Sequence, residues 1–401
     1  RPLAARGLAA ADVDGDGDLD LAAVDYVEWS PEVDRRVERE ADGVGRTYGR
    51  PQSYGGARLW LFRNDGDGRF EEVAERSGLA VSDAAGRPLG KGLAVVPLDA
   101  DGDGALDLFV ANDTVRNFLF RGDGRGRFVE RGELAGVAYD AAGRATGAMG
   151  VDLGWLDGRP AIAVGNYAAE TSSLYVAEGG GLFSDQALAR GLAAATREPL
   201  TFGLLLADLD LDGRLDLVQA NGHVEPDVAR LDRGESYRQP AQLLWNAGRR
   251  FVELPAAAVG DLARPLAARG LAAADVDGDG DLDLAITQIA GPAVLLRNDQ
   301  ASGHHWLRVT LRGPTGNPDA IGAVVELAAG GTAQRRFVSP TRSYLSQVEP
   351  TVTFGLGTTT EVDSLKIAWP DGTVQRRDGE AIRVDRELRI EHRPRDPAPT
   401  P

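Results

Sequence analysis

Short apolar runs alternate with acidic, glycine-rich segments along residues 1–300. Gly92-Leu-Ala-Val-Val is one such run; the acidic stretch Asp99 to Asp107 follows, and then Leu108-Phe-Val. The same succession recurs around Asp12 to Asp20, Asp208 to Asp216 and Asp275 to Asp283. Apolar runs bounded by Gly and Asp read as strands, so each unit predicts strand, acidic loop, strand. A third apolar run closes on Arg-Asn or a variant of it: Leu61-Phe-Arg-Asn64, Leu119-Phe-Arg121, Leu243-Leu-Trp-Asn246 and Leu295-Leu-Arg-Asn298. Gly-rich turns of hairpin chemistry come next, and Phe70, Phe128, Phe183 and Phe251 open a fourth strand. Four short antiparallel strands per repeat make a propeller blade. Gly150-Val-Asp-Leu-Gly-Trp-Leu-Asp-Gly158 keeps the frame but loses the carboxylate spacing, so it counts as a degenerate fifth unit. The last unit has no Gly-turn-Phe strand of its own, and an insertion at about 26–57 carries a short helix predicted over Pro31 to Glu40.

From about residue 301 the pattern changes to period-two runs, Trp306-Leu-Arg-Val-Thr-Leu311, Ala323-Val-Val-Glu-Leu327 and Ser364-Leu-Lys-Ile-Ala-Trp369. These predict a compact antiparallel, sandwich-like β-domain over 301–393, with a Pro-rich disordered tail at 394–401. The fold class is therefore all-β: a propeller with five recognisable blades over 1–300 and a small C-terminal β-domain.

Composition narrows the function. The 401 residues are 43% hydrophobic, ample for a large domain and a small one. Sixty-one acidic against 44 basic residues leave −17, which argues against nucleic acid or an anionic membrane as partner and toward cations. No apolar run reaches transmembrane length. The chain contains no cysteine, so disulfides, thiolate zinc sites and cysteine nucleophiles are excluded. It opens at Arg1 with neither Met nor a signal-type apolar stretch and reads as a processed or trimmed form.

The acidic loops carry the chemistry. Calcium takes six to eight hard oxygens, and side chains at positions 1, 3 and 5 of a tight loop converge on one point. A backbone carbonyl at position 7 and a carboxylate at position 9 would complete the set. In the first loop these are Asp12, Asp14, Asp16, Asp18 (carbonyl) and Asp20; in the second Asp99, Asp101, Asp103, Ala105 and Asp107. In the third they are Asp208, Asp210, Asp212, Arg214 and Asp216, and in the fourth Asp275, Asp277, Asp279, Asp281 and Asp283. Gly17, Gly104, Gly213 and Gly280 hold position 6, where the chain must turn sharply. An EF-hand would close with Glu at position 12, but Ala23, Val110, Gln219 and Ile286 stand there. A single Asp/Gly cluster can be a plain solvated turn; four in one frame point to about four calcium ions, with none at Asp152 to Asp157.

Those loops resemble the FG-GAP/VCBS repeat of integrin-type propellers. The whole chain resembles bacterial relatives of the cartilage acidic protein family, which end in an ASPIC/UnbV domain. Asp25-Tyr-Val, Tyr48-Gly-Arg-Pro-Gln, Val110-Ala-Asn-Asp-Thr-Val-Arg-Asn117, Ala220-Asn-Gly-His-Val224 and Tyr237-Arg-Gln-Pro240 carry the resemblance in the propeller. His305-Trp-Leu-Arg-Val, Ser343-Tyr-Leu-Ser346, Phe354-Gly-Leu-Gly357 and Trp369-Pro-Asp-Gly372 carry it in the second domain. The resemblance implies a secreted calcium-binding propeller, seven-bladed in most members, without established catalysis. It also implies two further blades, or ring completion from outside these residues. Residues 1–22 repeat 264–285 identically, which points to recent duplication or an imperfectly assigned sequence.

Five residues past each loop, or at the matching place in the degenerate unit, stand Asp25, Asn112, Asn166, Asn221 and Gln288. Two readings follow: each side chain anchors its own turn, or the five form a polar ligand ring at the channel. Among four histidines, His223 follows a strand and reads as packing, while the adjacent His304 and His305 point to opposite sides of an extended chain. No Gly-x-Ser-x-Gly, phosphate-cradling or zinc motif is present. The leading function is an extracellular binding or adhesion module for a protein or polysaccharide, with self-association open. The alternatives are a structural subunit of a surface layer or filament, and a calcium-assisted polysaccharide lyase or hydrolase. The expected location is extracellular or at the cell surface, with the periplasm also open.

Overall fold

The computed structural model describes residues 5–37, 39–41 and 44–393; the predicted tail at 394–401 lies outside them. Five sheets follow one another along the chain, each a meander of neighbouring antiparallel strands. Blade 1 is Ala5–Ala11, Asp20–Asp25, Leu59–Asn64 and Phe70–Glu72. Blade 2 is Gly92–Leu98, Asp107–Asn112, Phe118–Gly122 and Phe128–Glu130. The degenerate unit forms a complete blade 3, Val151–Leu156, Arg159–Val164, Ser173–Gly179 and Leu182–Asp185. Blade 4 is Thr201–Ala207, Asp216–Asn221, Gln242–Asn246 and Phe251–Glu253. Blade 5 has three strands, Ala268–Ala274, Asp283–Gln288 and Val294–Leu296. Within the insertion the helix is shorter than the pattern suggests, Pro31–Arg36, capped by the Ser30 hydroxyl accepting from Val33 N–H at 3.2 Å.

Consecutive blades pack through their first strands, which are therefore the inner ones. The core is divided accordingly into layers between blades. Ala9, Val24 and Leu61 of blade 1 meet Val95, Val110, Phe118 and Phe120 of blade 2, and Phe109 and Leu119 of blade 2 meet Ile162, Val164 and Tyr175 of blade 3. Crowding near the axis explains the Gly/Ala content of the inner strands. A Cβ on Gly92 would lie 2.6 Å from Val24 Cβ, and one on Gly203 2.7 Å from Leu271 Cβ. Blades 1 and 5 share no strand packing of this kind among the described residues. Leu8 and Leu295, on faces turned away from the neighbouring blades, are 54% and 62% exposed.

The second domain is a sandwich of a three-stranded and a four-stranded sheet around Leu307, Val309, Val325, Leu327, Phe354, Leu365 and Ile367. It departs from the antiparallel expectation in one pair: His305–Arg312 runs parallel to Arg386–Glu391. A parallel neighbour requires a long crossover, and here the chain passes through the other sheet before returning. A small hairpin, Thr341–Arg342 with Ser346–Gln347, leaves this domain and reaches the inner strands of blades 1, 3 and 5. Ser343 N–H donates to Val151 O at 2.7 Å, the Ser343 hydroxyl accepts from Leu204 N–H at 3.0 Å, and the Tyr344 ring sits 4.8 Å from that of Phe202. The propeller axis is thus filled from this side by the second domain.

Candidate metal centre

Each acidic loop is shaped by its own backbone. The position 1 carboxylate accepts two N–H groups in three of the loops: Gly15 and Gly17 on Asp12 (2.8 and 3.0 Å), Gly102 and Gly104 on Asp99, Gly278 and Gly280 on Asp275. In the third loop Asp208 accepts Gly213 N–H at 2.9 Å. The position 6 glycines take φ of 95°, 89°, 94° and 99°, a region that L-residues with a Cβ avoid. The position 9 carboxylate brackets the blade. Asp20 accepts Val13 N–H and Asn64 N–H, Asp107 accepts Ala100 and Gly122, Asp216 accepts Leu209 and Asn246, and Asp283 accepts Val276 and Asn298. The recurrent Asn ending the third apolar run adds its side chain to this tie: the Nδ2 of Asn64, Asn246 and Asn298 donates to Leu19 O, Leu215 O and Leu209 O respectively.

Four groups of carboxylates gather, each with oxygen atoms within 4.8 Å of one another: Asp12, Asp14 and Asp20; Asp99, Asp101 and Asp107; Asp208, Asp210 and Asp212; Asp275, Asp277 and Asp279. The third member is position 9 in the first two loops and position 5 in the last two, so Asp16 and Asp103 stand outside these groups. Asp14 Oδ1, Asp208 Oδ1 and Asp281 Oδ1 are buried and accept no hydrogen bond. A buried carboxylate oxygen without a partner is costly, and two of these, on Asp14 and Asp208, belong to the carboxylate groups themselves, which suits a cation there. Burial, reinforced by neighbouring carboxylates, pushes Asp20 and Asp107 up to about 6, Asp208 to about 7, and Asp216 and Asp281 to about 8. These clusters could hold metal ions.

Position 3 also faces a side chain of the third strand: Arg121 pairs with Asp101, Arg297 Nε lies 3.8 Å from Asp277, and the Trp245 indole N–H donates to Asp210 at 2.9 Å.

Comparisons with known proteins agree with this geometry. Residues 313–396 match the ASPIC and UnbV family model, and residues 49–110 match an FG-GAP-like repeat. Cartilage acidic protein 1 of Xenopus tropicalis is 29% identical over 295 residues, covering 71% of this chain and 42% of that protein. The Mus musculus protein is 29% identical over 311 residues, 76% of this chain and 44% of that one. The chain carries an FG-GAP-like repeat and an ASPIC and UnbV domain and is similar to cartilage acidic protein 1. It spans less than half the length of these relatives. Among solved structures, the biofilm matrix protein Bap1 of V. cholerae is similar with TM-score 0.38 and 10% identity, covering 94% of this chain and 59% of that one; a likeness at that level bears on nothing further here.

The ASPIC/UnbV domain lies against the loop-bearing side of the propeller, which local sequence did not foreshadow. Arg308 Nη1 donates to Asp275 Oδ2 at 2.6 Å and its other arm pairs with Glu349. Gly355 N–H donates to Asp208 Oδ2 at 3.2 Å, and Arg336, buried enough to be lowered to about 10, lies 3.9 Å from the same oxygen. A Cβ on Gly280 would strike the Trp306 ring, and one on Gly316 the Asp18 carboxylate. In the degenerate blade the carboxylates meet arginines: Asp152 is fully buried and gripped by Arg342, while Asp157 pairs with Arg190 at 2.7 Å.

The five positions considered for a ligand ring lie at the ends of the second strands, each held within its own blade or by the next turn. Asn112 accepts Lys91 N–H and donates to Arg116 O; Asn166 accepts the Thr146 hydroxyl and donates to Thr171 O; Asn221 accepts the Thr201 hydroxyl and donates to Pro240 O. Gln288 donates to Pro292 O, and Asp25 accepts the Trp60 indole N–H. These bonds match the turn-anchoring reading. Just past these positions blades do touch: the Tyr26 hydroxyl donates to Asp113, and Tyr167 Oη meets His223 Nε2 at 3.2 Å. Burial, together with nearby Glu170, raises Asp113 to about 6.

Proposed function

We propose that this protein is a secreted, calcium-dependent extracellular binding or adhesion module in which each of the four intact acidic loops holds one calcium ion. The observation that supports this most directly is the pair of buried, unpartnered oxygens on Asp14 and Asp208 inside carboxylate groups whose oxygens lie within 4.8 Å of one another. Calcium would supply the positive charge that the clusters lack, ligated by positions 1, 3, 5 and 9 with the position 7 carbonyls of Asp18, Ala105, Arg214 and Asp281. Its role is structural: the bracketing carboxylates Asp20, Asp107, Asp216 and Asp283 join loop to third strand, so charge neutralisation there stiffens each blade.

We read the protein as a binder rather than an enzyme because its histidines are engaged in structure. His304 Nδ1 donates to Asp210 O at 2.6 Å, His305 Nδ1 lies 2.7 Å from Asp385, His392 Nε2 lies 3.0 Å from Asp371, and His223 bridges Glu225 N–H and Tyr167. The partner is an extracellular protein or a polysaccharide. Calorimetric titration of EDTA-stripped protein with CaCl2, against MgCl2 as control, is expected to return four calcium ions per chain; a protein that takes up no calcium would sink the reading.

A further inference from the structure

A cleft of about 610 Å³ opens between blades 3 and 4 and the second domain. That volume lies within the range of about 300–1,000 Å³ that small-ligand sites occupy, and junctions between domains are where such sites concentrate. Its walls include Trp155 from the inner strand of blade 3, Asp212 and Arg214 from the third acidic loop, and Thr332, Arg335 and Thr359 from the second domain.

The chemistry of these walls is specific. Trp155 is only partly buried, giving a flat apolar face on which a sugar ring can stack. Arg214 and Arg335 have side chains 45% and 47% exposed; Arg214 pairs with Asp212 and donates Nε to Asn246 O, whereas Arg335 uses only Nε, on Glu326, and keeps its two Nη groups. Guanidinium groups so placed retain N–H donors in the planar fork that matches a carboxylate. The same loop holds Asp208, 2% exposed, with Oδ1 buried and unpartnered, so a cation is called for beside the cleft. With a divalent ion offsetting carboxylate charge in that loop, Arg214, Arg335 and Arg336 outnumber Asp157 and Asp212 on the cleft walls, and an anion is favoured. A neighbouring cavity of about 60 Å³ beneath Arg336 and Arg342 has room for little more than water.

We propose that this cleft is a binding site for an acidic oligosaccharide, with a sugar stacked on Trp155 and a carboxylate held by Arg335 and the cation of the third loop. The proposal rests on the calcium reading above and narrows its polysaccharide partner to uronate-bearing chains.

The test is calorimetric titration with tri-galacturonate, and with maltotriose as the neutral counterpart, in 2 mM CaCl2 and after EGTA treatment, while bound calcium is counted in parallel by metal analysis. Tri-galacturonate is expected to bind only the calcium-loaded protein, and maltotriose not to bind. Arg335→Gln and Trp155→Ala should each weaken binding tenfold or more with the calcium count unchanged; the exposed Arg335 site keeps the test valid should Trp155→Ala fold poorly. A loaded protein that ignores tri-galacturonate, or binding that neither variant moves, overturns the cleft. Equal binding of maltotriose overturns the acidic class, and binding undiminished by EGTA overturns the metal's part. An empty calcium count instead refutes the calcium reading itself.

Discussion

Replacing Arg342 by Met is the sharpest probe of how the two domains are joined. Arg342 grips Asp152 in a two-armed pair, Nε to Oδ1 and Nη2 to Oδ2, both at 2.5 Å, and its Nη2 also donates to Leu206 O at 2.7 Å. Asp152 is fully buried, so methionine would leave its charge with one backbone donor, Leu206 N–H. Removing one member of a buried pair costs about 3–5 kcal/mol, whereas an exposed pair contributes under about 1. Because the Arg342 side chain keeps 25% exposure, we place the loss at the lower end, about 3 kcal/mol. Asp152→Asn alone should cost less, since it removes the charge with the group. Combined with Arg342→Met it should recover at least about 1 kcal/mol of the single-variant loss, the signature of direct coupling. Urea unfolding in saturating calcium gives the four free energies of the cycle. A loss below about 1 kcal/mol for Arg342→Met, with additive behaviour in the double variant, would refute the argument that this contact holds the hairpin in the axis.

Three further outcomes follow from the same structure. At 2 mM calcium and dissociation constants on the order of 10⁻⁴ to 10⁻³ M, four loops stabilise the fold by about 3–7 kcal/mol, so EDTA should lower the melting temperature clearly; an unchanged transition counts against the metal reading. Asp212→Ala and Asp103→Ala should each lower the calcium count from four to three, and Asp212→Ala should do so more completely, because Asp103 lies outside its carboxylate group; retention of all four ions in Asp212→Ala contradicts the ligand assignment. Asp113, raised from 3.8 to about 6, keeps its proton when folded over a pH range in which the unfolded chain has released it. Stability therefore falls as pH climbs from about 4 to about 6, by on the order of 3 kcal/mol, and Asp113→Asn should flatten that profile; parallel profiles for the two proteins would dispose of it.

Strand boundaries and loop positions were legible because both rest on local chemistry. The glycine at position 6 needs a left-handed backbone, the Asp at position 1 bonds the amides of its own loop, and alternation within each run sets which face meets the next blade. The five residues around Asn112 and Asn221 show where such reasoning stops. Local spacing marks the position, yet turn-anchoring and ligand-facing side chains have the same spacing, and the bonds to Lys91 N–H, Thr201 and Pro240 are not written in it. The parallel pairing of His305–Arg312 with Arg386–Glu391 was equally hidden, since a period-two run has the same pattern whichever way its neighbour runs.

By itself, then, the amino-acid order determined the repeat, the acidic loops with their frame, and the existence of a second β-rich unit. Tertiary structure decided what those loops face. Arg308 reaches Asp275 across 33 residues, Gly355 reaches Asp208 across 147, and Arg342 reaches Asp152 across 190. No periodicity records contacts at such separations, because the carboxylate and its counter-charge meet only after blades and sandwich have each closed their own cores and been brought face to face. The cleft beside Trp155 belongs to the same class of feature, since its walls come from blades 3 and 4 on one side and the second domain on the other.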